Sequence, residues 1–292
     1  MLAFFIKPFI INNMNKNNPI GFIDSGIGGL TVVKAAQEQL PNEQFMYIGD
    51  TARMPYGPRP AQEVIDYTFQ MANFLIETKK IKLLVIACNT ATARALPLLQ
   101  TKLPIPVIGV IQSGAEAAVR MTKSNHIGLI ATQGTVTSGI YEKEVANLAP
   151  NVIVQAQPEP DFVTLVEDDD YESEYAQKLV ADHLSHFGDD TVDTLILGCT
   201  HFPLLAPFIQ VAVGNGVKLV DAGAETVKVV RQYLDTYNLH SDVVHGHDHD
   251  IYHTTGDKVT FQKIATNWLS RAQPLDVRHL VITNNHLEDE SV

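Results

Sequence analysis

The chain of 292 residues is poor in cysteine, with Cys88 and Cys199 as its only two. Two cysteines are too few for a disulfide framework at this length, so reduced thiols and a cytoplasmic location are predicted. Each cysteine follows an apolar run, residues 83–87 or residues 195–198, and precedes a polar pair. Because α/β sheets form ligand crevices at the carboxyl ends of their strands, both thiols are predicted at such an edge.

Positive charge is also scarce, because 21 basic residues face 33 acidic ones and the formal net charge is -12. Nucleic-acid binding draws its affinity from Lys and Arg, so no nucleic-acid partner is predicted. The apolar amino end, residues 1–11, is too short to span a bilayer and lacks a basic start or an Ala-x-Ala-like site. We therefore expect no membrane segment and interpret residues 1–18 as an amino-terminal extension.

What the chain does contain is a regular alternation of strand-like apolar runs and amphipathic helical stretches from residue 20 to about residue 220. This alternation predicts an α/β fold with parallel sheets, with helices expected at residues 113–121 and 138–149, among others. The pattern occurs twice, each time with a central strand that ends in cysteine. The sequence therefore predicts two similar, pseudo-symmetric α/β lobes with the active site in the crevice between them.

Two glycine-containing segments follow the first two predicted strands. Asp24-Ser25-Gly26-Ile27-Gly28-Gly29 predicts a tight turn whose backbone N–H groups face an anion, although a turn with Asp24 as a helix cap fits equally well. Its spacing matches neither a dinucleotide fingerprint nor a phosphate loop. Pro55-Tyr56-Gly57-Pro58 offers a hydroxyl and an unhindered N–H, and taken alone it is typical of an ordinary turn.

The two cysteines carry the sharper hypothesis. A thiolate is the working base, and a helix amino terminus or a nearby cation lowers its pKa from about 8.5. His201 lies two residues after Cys199 and can supply such a cation. A lone buried cysteine is usually a small apolar side chain, but two matched settings favour function. Two thiols that face one another across a crevice could invert a carbon centre without a cofactor.

Acidic and histidine-rich segments give weaker signals. Glu167 follows an apolar run and precedes three aspartates, so it is interpreted as a partner of His201 or as part of a solvated acidic loop. Histidines also recur late in the chain, at His245, His247, His249 and His253. Alternate positions could share one face and bind a metal, but a polar loop is favoured and no metal site is predicted.

Four motifs in order resemble those of the glutamate racemases, in the aspartate/glutamate racemase superfamily. They are Asp24-Ser25-Gly26-x-Gly28-Gly29, Pro55-Tyr56-Gly57, Cys88-Asn89-Thr90 and Gly198-Cys199-Thr200-His201. The resemblance extends from about residue 19 to about residue 268, and residues 254–257 are similar to the closing region of that family. It implies two lobes, formed by residues 19–112 plus 221–292 and by residues 113–220.

The same resemblance implies a cofactor-independent racemase that interconverts L-glutamate and D-glutamate and supplies D-glutamate for peptidoglycan in the cytoplasm. Cys88 and Cys199 would act on the α-proton from opposite faces, with Asp24 and His201 assisting the thiols. The residues that would contact the amino acid are Asp24, Ser25, Tyr56, Gly57, Asn89, Thr90, Thr200 and His201. No Lys follows a strand into a glycine-rich loop, so no pyridoxal cofactor is expected.

Two alternatives remain open at this point. One is a racemase for aspartate or a related amino acid, although His201 stands where aspartate-racemising relatives tend to carry Glu and so favours glutamate. The other is a two-lobed amino-acid binding protein, because a hinged pair of α/β lobes also encloses ligands. The sequence leaves a homodimer open as well.

Overall fold

The structure is a computed structural model that describes residues 14–188, 191–244, 246–284 and 286–290. Most of the predicted extension, residues 1–13, and His245 lie outside the described residues. The described strands are β1 (Ile20–Asp24), β2 (Phe45–Gly49), β3 (Leu83–Ile86), β4 (Val107–Gly109), β5 (His126–Ala131), β6 (Ile153–Pro158), β7 (Thr194–Gly198), β8 (Lys218–Asp221), β9 (Ile251–Thr254), β10 (Asp276–Thr283) and β11 (His286–Asp289).

The described α-helices are α1 (Leu30–Gln39), α2 (Ala61–Lys79), α3 (Asn89–Lys102), α4 (Val110–Met121), α5 (Gln133–Ser138), α6 (Ile140–Leu148), α7 (Pro160–Glu167), α8 (Glu174–Leu184), α9 (Ala206–Val213), α10 (Ala222–Tyr237) and α11 (Lys258–Trp268). Short 3₁₀ turns cover Ser185–Gly188, Phe202–Leu205 and His247–His249. Among the helices of the described ranges, none is long and apolar enough to cross a membrane.

The strands form two sheets. The first has the order β11-β10-β9-β2-β1-β3-β4 and is parallel apart from the antiparallel β10–β11 pair. The second has the order β6-β5-β7-β8 and is parallel throughout. The predicted α/β fold with two parallel sheets is therefore confirmed.

The central strands of both sheets are buried along their whole length. Every residue of β1, β3 and β7 is buried, because helices cover both faces of each sheet. This explains why their sequences are continuous apolar runs without alternation. The runs end where the strands end, and each cysteine is thereby placed at the carboxyl edge of its sheet.

The three late strands β9, β10 and β11 extend the first sheet, whereas residues 126–221 supply the second. Helix α10 packs against α1 and α4, and α4 also packs against β7 and β8. The lobe bounds of 19–112 plus 221–292 and 113–220 stay a prediction.

Some predicted element bounds are wrong. Helix α4 begins at Val110, directly after β4, and not at residue 113, because the apolar run continues from strand into helix without a break. The helix predicted at residues 138–149 is α6, which begins only at Ile140 because Gly139, with a φ of 63°, separates it from α5, a helix that was not predicted. Helix α7 and strands β10 and β11 were not predicted.

Candidate active site

Both cysteines line one cavity of about 210 Å³ at the carboxyl ends of β3 and β7. The strands belong to different sheets, so the cavity lies between the two halves of the fold. Further sequence-predicted residues in its wall are Ser25, Tyr56, Gly57, Asn89, Thr90, Glu167, Thr200 and His201. Asp24 is fully buried and is not part of the wall.

Cys88 is the N-cap of helix α3. Its Sγ accepts a hydrogen bond from the backbone N–H of Ala91 at 3.4 Å, and its thiol donates to Ser25 Oγ at 3.6 Å. Burial raises the pKa of Cys88 to about 12, and the charge of Asp24 acts in the same direction. The N–H of the first helical turn opposes this shift without overcoming it. Without a ligand, Cys88 therefore keeps its proton at neutral pH.

Cys199 lies next to a histidine instead. Its Sγ is 3.5 Å from His201 Nδ1, and His201 Nε2 is 3.5 Å from Glu167 Oε1. Burial opposes a charge on this ring, but the contacts with Cys199 and Glu167 outweigh it and raise the pKa of His201 to about 10. The ring is therefore an imidazolium at neutral pH, and its positive charge lies beside the Cys199 sulfur.

Asp24 acts inside the loop after β1. Its Oδ2 accepts hydrogen bonds from the backbone N–H groups of Gly26 at 3.0 Å and Gly29 at 3.1 Å. Of the two interpretations of this segment, a turn organised by Asp24 is the one observed at these two amides, because a carboxylate of the chain itself occupies them. Burial raises the pKa of Asp24, although the charge of His201 and these N–H groups oppose the shift. Thr200 Oγ1 lies 3.5 Å from its other oxygen.

Gly28 allows this loop to lie against the Cys199 side of the cavity. A Cβ at this position would lie closer than real Cβ contacts to Thr200 Oγ1, its nearest neighbour, and to His201 Nδ1, at 2.7 Å. Thr31 Oγ1 donates to the carbonyl oxygens of both Gly28 and Thr200 at 2.9 Å, and so joins the two strand-end loops. A side chain at residue 28 would therefore displace the histidine.

Tyr56 contributes its ring to the wall while its hydroxyl donates to the buried carboxylate of Asp50. The same carboxylate accepts from Arg53 Nε at 2.7 Å and from Thr255 Oγ1 at 2.8 Å. Thr255 belongs to the late segment of residues 254–257, so this segment holds the loop that carries Tyr56. From the sequence, the Tyr56 hydroxyl was expected to be available to a ligand. The role of Asp50, which accepts hydrogen bonds from Tyr56 and Thr255, was not predicted.

Sequence reasoning also missed wall residues that directly follow β5 or lie in α7, among them Thr132, Gln133, Val163 and Thr164. Thr132 follows directly after β5, and its Oγ1 is 2.9 Å from Thr90 Oγ1 in the loop after β3. The strand-end rule that found the cysteines applies equally to Thr132 and could have found it.

The late histidines that the structure describes lie in two different elements. His247 and His249 lie in a 3₁₀ turn, whereas His253 is buried in β9 with its Nδ1 3.2 Å from the Tyr47 carbonyl oxygen. Across the described ranges, no group of three or more His, Cys, Asp or Glu side chains could hold a metal ion.

A sequence model of the family described as Asp/Glu/Hydantoin racemase matches residues 24–230. With paired strand-end cysteines in one cavity of a two-sheet α/β fold, the chain belongs to the aspartate/glutamate/hydantoin racemase family.

Its curated relatives within the family include glutamate racemases. That of Enterococcus faecalis is 51% identical over 88% of this chain and 93% of its own length. That of Lactiplantibacillus plantarum is 50% identical over 90% of this chain and 98% of its own.

Solved structures give the same result. A glutamate racemase isoform from Bacillus anthracis superposes with a TM-score of 0.87 at 38% identity, covering 93% of this chain and 100% of the other. The glutamate racemase of Francisella tularensis, solved in complex with D-glutamate, superposes with a TM-score of 0.82 at 32% identity, covering 92% and 98%. The resemblance to the glutamate racemases that the motifs indicated is confirmed.

Proposed function

We propose that this protein is a glutamate racemase, which interconverts L-glutamate and D-glutamate by moving protons between the α-carbon and two cysteines. The observation that carries the proposal is that Cys88 and Cys199 line one cavity from the strand ends of two different sheets. Two bases on opposite sides of one carbon are what inversion without an electron-sink cofactor requires. Similarity to glutamate racemases over most of the chain supports glutamate as the substrate.

The proposed reaction starts from one thiolate and one thiol. Cys199, beside the charged His201, removes the α-proton of the substrate, and the pair of electrons from the broken C–H bond stays on the α-carbon. The thiol of Cys88 then gives its proton to the opposite face, which inverts the centre and leaves Cys88 as the thiolate. The opposite enantiomer reacts through the same steps in reverse order, and Glu167 keeps the His201 ring in place.

The carbanion needs local stabilisation because the protein carries a formal net charge of -12 and repels an anionic substrate. Hydroxyl, amide and backbone N–H groups in the wall supply hydrogen bonds to the substrate carboxylates in a site shielded from water. We assign this role to Ser25, Gly57, Asn89, Thr90, Thr200 and His201, and to the backbone N–H of Tyr56, whose hydroxyl is already bound to Asp50. Asp24, which lies behind the wall, acts by fixing the loop that carries Ser25.

The biological part of the proposal is a cytoplasmic enzyme that supplies D-glutamate for peptidoglycan, with the active site between a lobe of residues 19–112 plus 221–292 and a lobe of residues 113–220. The proposed enzyme could act as a homodimer. Similarity to the curated glutamate racemases supports this assignment.

A substrate panel tests the function directly. Purified protein is incubated with L-glutamate, D-glutamate or L-aspartate without added cofactor, and the enantiomers are separated by chiral chromatography. We expect both glutamate enantiomers to reach the same equal mixture and aspartate to react at least about 100-fold more slowly, as a pocket shaped for one side-chain length allows. Faster conversion of aspartate would favour the related racemase, and binding without any inversion would favour the binding protein.

A further inference from the structure

Asn89 lines the cavity from the first residue of helix α3, and its amide oxygen has a buried partner outside the cavity wall. The hydroxyl of Tyr141 donates to Asn89 Oδ1 at 2.8 Å. Tyr141 lies in helix α6, on the side of the second sheet, and is fully buried. The contact therefore joins two halves of the fold directly behind the substrate cavity.

The direction of this hydrogen bond decides which end of the amide faces the cavity. Burial raises the pKa of Tyr141, and the charges of Asp221 and Cys199 add to the shift, so its hydroxyl stays protonated. A buried hydroxyl proton needs an acceptor, and an amide offers one at its oxygen and none at its nitrogen. With Oδ1 used in this way, the Nδ2 group and its two N–H donors remain for the cavity.

We propose that Tyr141 is a positioning residue that turns the Asn89 amide so that its N–H donors bind a carboxylate of the substrate. The inference rests on the proposed function, because glutamate supplies that carboxylate. The opposite amide orientation would leave the Tyr141 proton without its acceptor and would set an amide oxygen against a carboxylate, both of which are unfavourable.

The closely packed surroundings of Tyr141 suit a fixed orientation. A Cβ at Gly114 in helix α4 would come within 3.3 Å of the Tyr141 hydroxyl oxygen, so the absence of a side chain there leaves room for it. Tyr141 is also part of the apolar cluster behind β5 and β7, which limits movement of its ring.

The test compares the variant Tyr141→Phe with the matched control Tyr252→Phe. Tyr252 is a buried tyrosine whose hydroxyl accepts from Gln37 Nε2 at 3.0 Å, and it does not line the cavity. Both variants lose buried hydrogen bonds, and Tyr252→Phe also loses the contact with Asp250, so we expect Tm to decrease in both and at least as much in the control. Only Tyr141→Phe should raise KM for glutamate, by about fivefold, with a smaller decrease in kcat, because the carboxylate contact is made in the ground state and strengthens as charge builds up in the transition state.

A double-mutant cycle with Asn89→Ala sharpens the test, because Tyr141 is argued to act through Asn89 alone. In the Asn89→Ala background, Tyr141→Phe should leave KM unchanged. If Tyr141→Phe does not fold, Asn89→Asp serves instead. It keeps an acceptor for Tyr141 but removes the donors, and its KM should rise at least about tenfold because a second carboxylate also repels the substrate.

Each outcome decides the matter. An unchanged KM in Tyr141→Phe, an equal rise of KM in the Asn89→Ala background, or an unchanged KM in Asn89→Asp would overturn the inference while wild-type racemisation still upheld the proposed function. A wild-type protein that neither binds nor racemises glutamate would overturn both.

Discussion

The two cysteines occupy equivalent places in the two sheets, yet their surroundings prepare them for opposite tasks. Cys88 is buried at a helix amino terminus beside Ser25, and its pKa is raised to about 12. Cys199 lies 3.5 Å from His201, whose pKa is raised to about 10 by Cys199 and Glu167 against the effect of burial. Cys88 therefore holds its proton, whereas the Cys199 sulfur has a charged histidine beside it, and the proposed inversion starts from this difference.

This comparison also shows how the same strand-end geometry can be tuned by its neighbours. Helix α3 offers N–H groups to Cys88, but the buried charge of Asp24 counteracts them. No regular α-helix begins directly at Cys199, where a 3₁₀ turn (Phe202–Leu205) follows. A charged histidine takes the place of the helix terminus.

Removal of either sulfur should end racemisation. We expect Cys88→Ala and Cys199→Ala each to lower kcat by on the order of 10³-fold or more, the range expected for loss of a general acid or base. Each variant should still exchange the α-hydrogen of one enantiomer, measured by NMR in heavy water, because one base remains. Full racemisation by either variant would contradict the account, and circular dichroism controls for folding.

A methyl group at residue 28 should lower activity by disturbing His201 and Thr200 beside Cys199, and it should leave the surroundings of Cys88 unchanged. Gly28→Ala would place a Cβ within 2.7 Å of His201 Nδ1, and displacement of this ring should lower kcat by about 100-fold. The control is Gly216→Ala, because nothing lies within 4 Å of a Cβ at that position. Equal kinetics for both alanine variants would show that the loop does not hold His201.

The charge on His201 should appear in the pH dependence of stability. Its pKa near 10 in the folded protein lies above the ordinary value of 6.5, so the stabilisation is complete below about pH 6.5 and is lost as pH rises through 10. Between these values the Tm of wild type should fall by several degrees more than that of His201→Gln. The control is His186→Gln at an exposed histidine, and its Tm should depend on pH in the same way as that of wild type. Parallel curves for wild type and His201→Gln would show that the ring is not charged in the folded protein.

Glu167 should have the smallest effect, because it acts on the ring from 3.5 Å and is partly exposed. We expect Glu167→Gln to lower kcat by about fivefold. The pH at which activity is lost on the alkaline side of the pH–rate profile should also decrease, because the His201 imidazolium loses its partner. The neighbouring exposed acid provides the control, and Asp168→Asn should leave the profile unchanged. A shift of the pH–rate profile by the same amount in both variants would show that any nearby negative charge has this effect and that the contact between Glu167 and His201 is not specific.

The sequence predicted those parts of the fold and site that depend on local pattern. Continuous apolar runs that end in Cys88 and Cys199 indicated buried parallel strands and the edge at which the thiols lie. The roles of Asp50 and Tyr141 could not be found in this way, because they depend on Thr255 and Asn89, which are distant from them in the chain. Helix α7 was missed because Pro160 starts it and an acidic run follows, a composition that also suits a loop.

The position of isotope in the products tests the two-base claim most directly. L-glutamate with protium at the α-carbon is incubated with wild-type protein in heavy water, and both enantiomers are analysed by NMR after chiral separation at low conversion. Because one cysteine removes the proton and the other supplies a solvent-derived one, D-glutamate should carry deuterium while the remaining L-glutamate keeps protium. Deuterium that enters L-glutamate as fast as D-glutamate forms would mean that a single base serves both faces, and the account would be wrong.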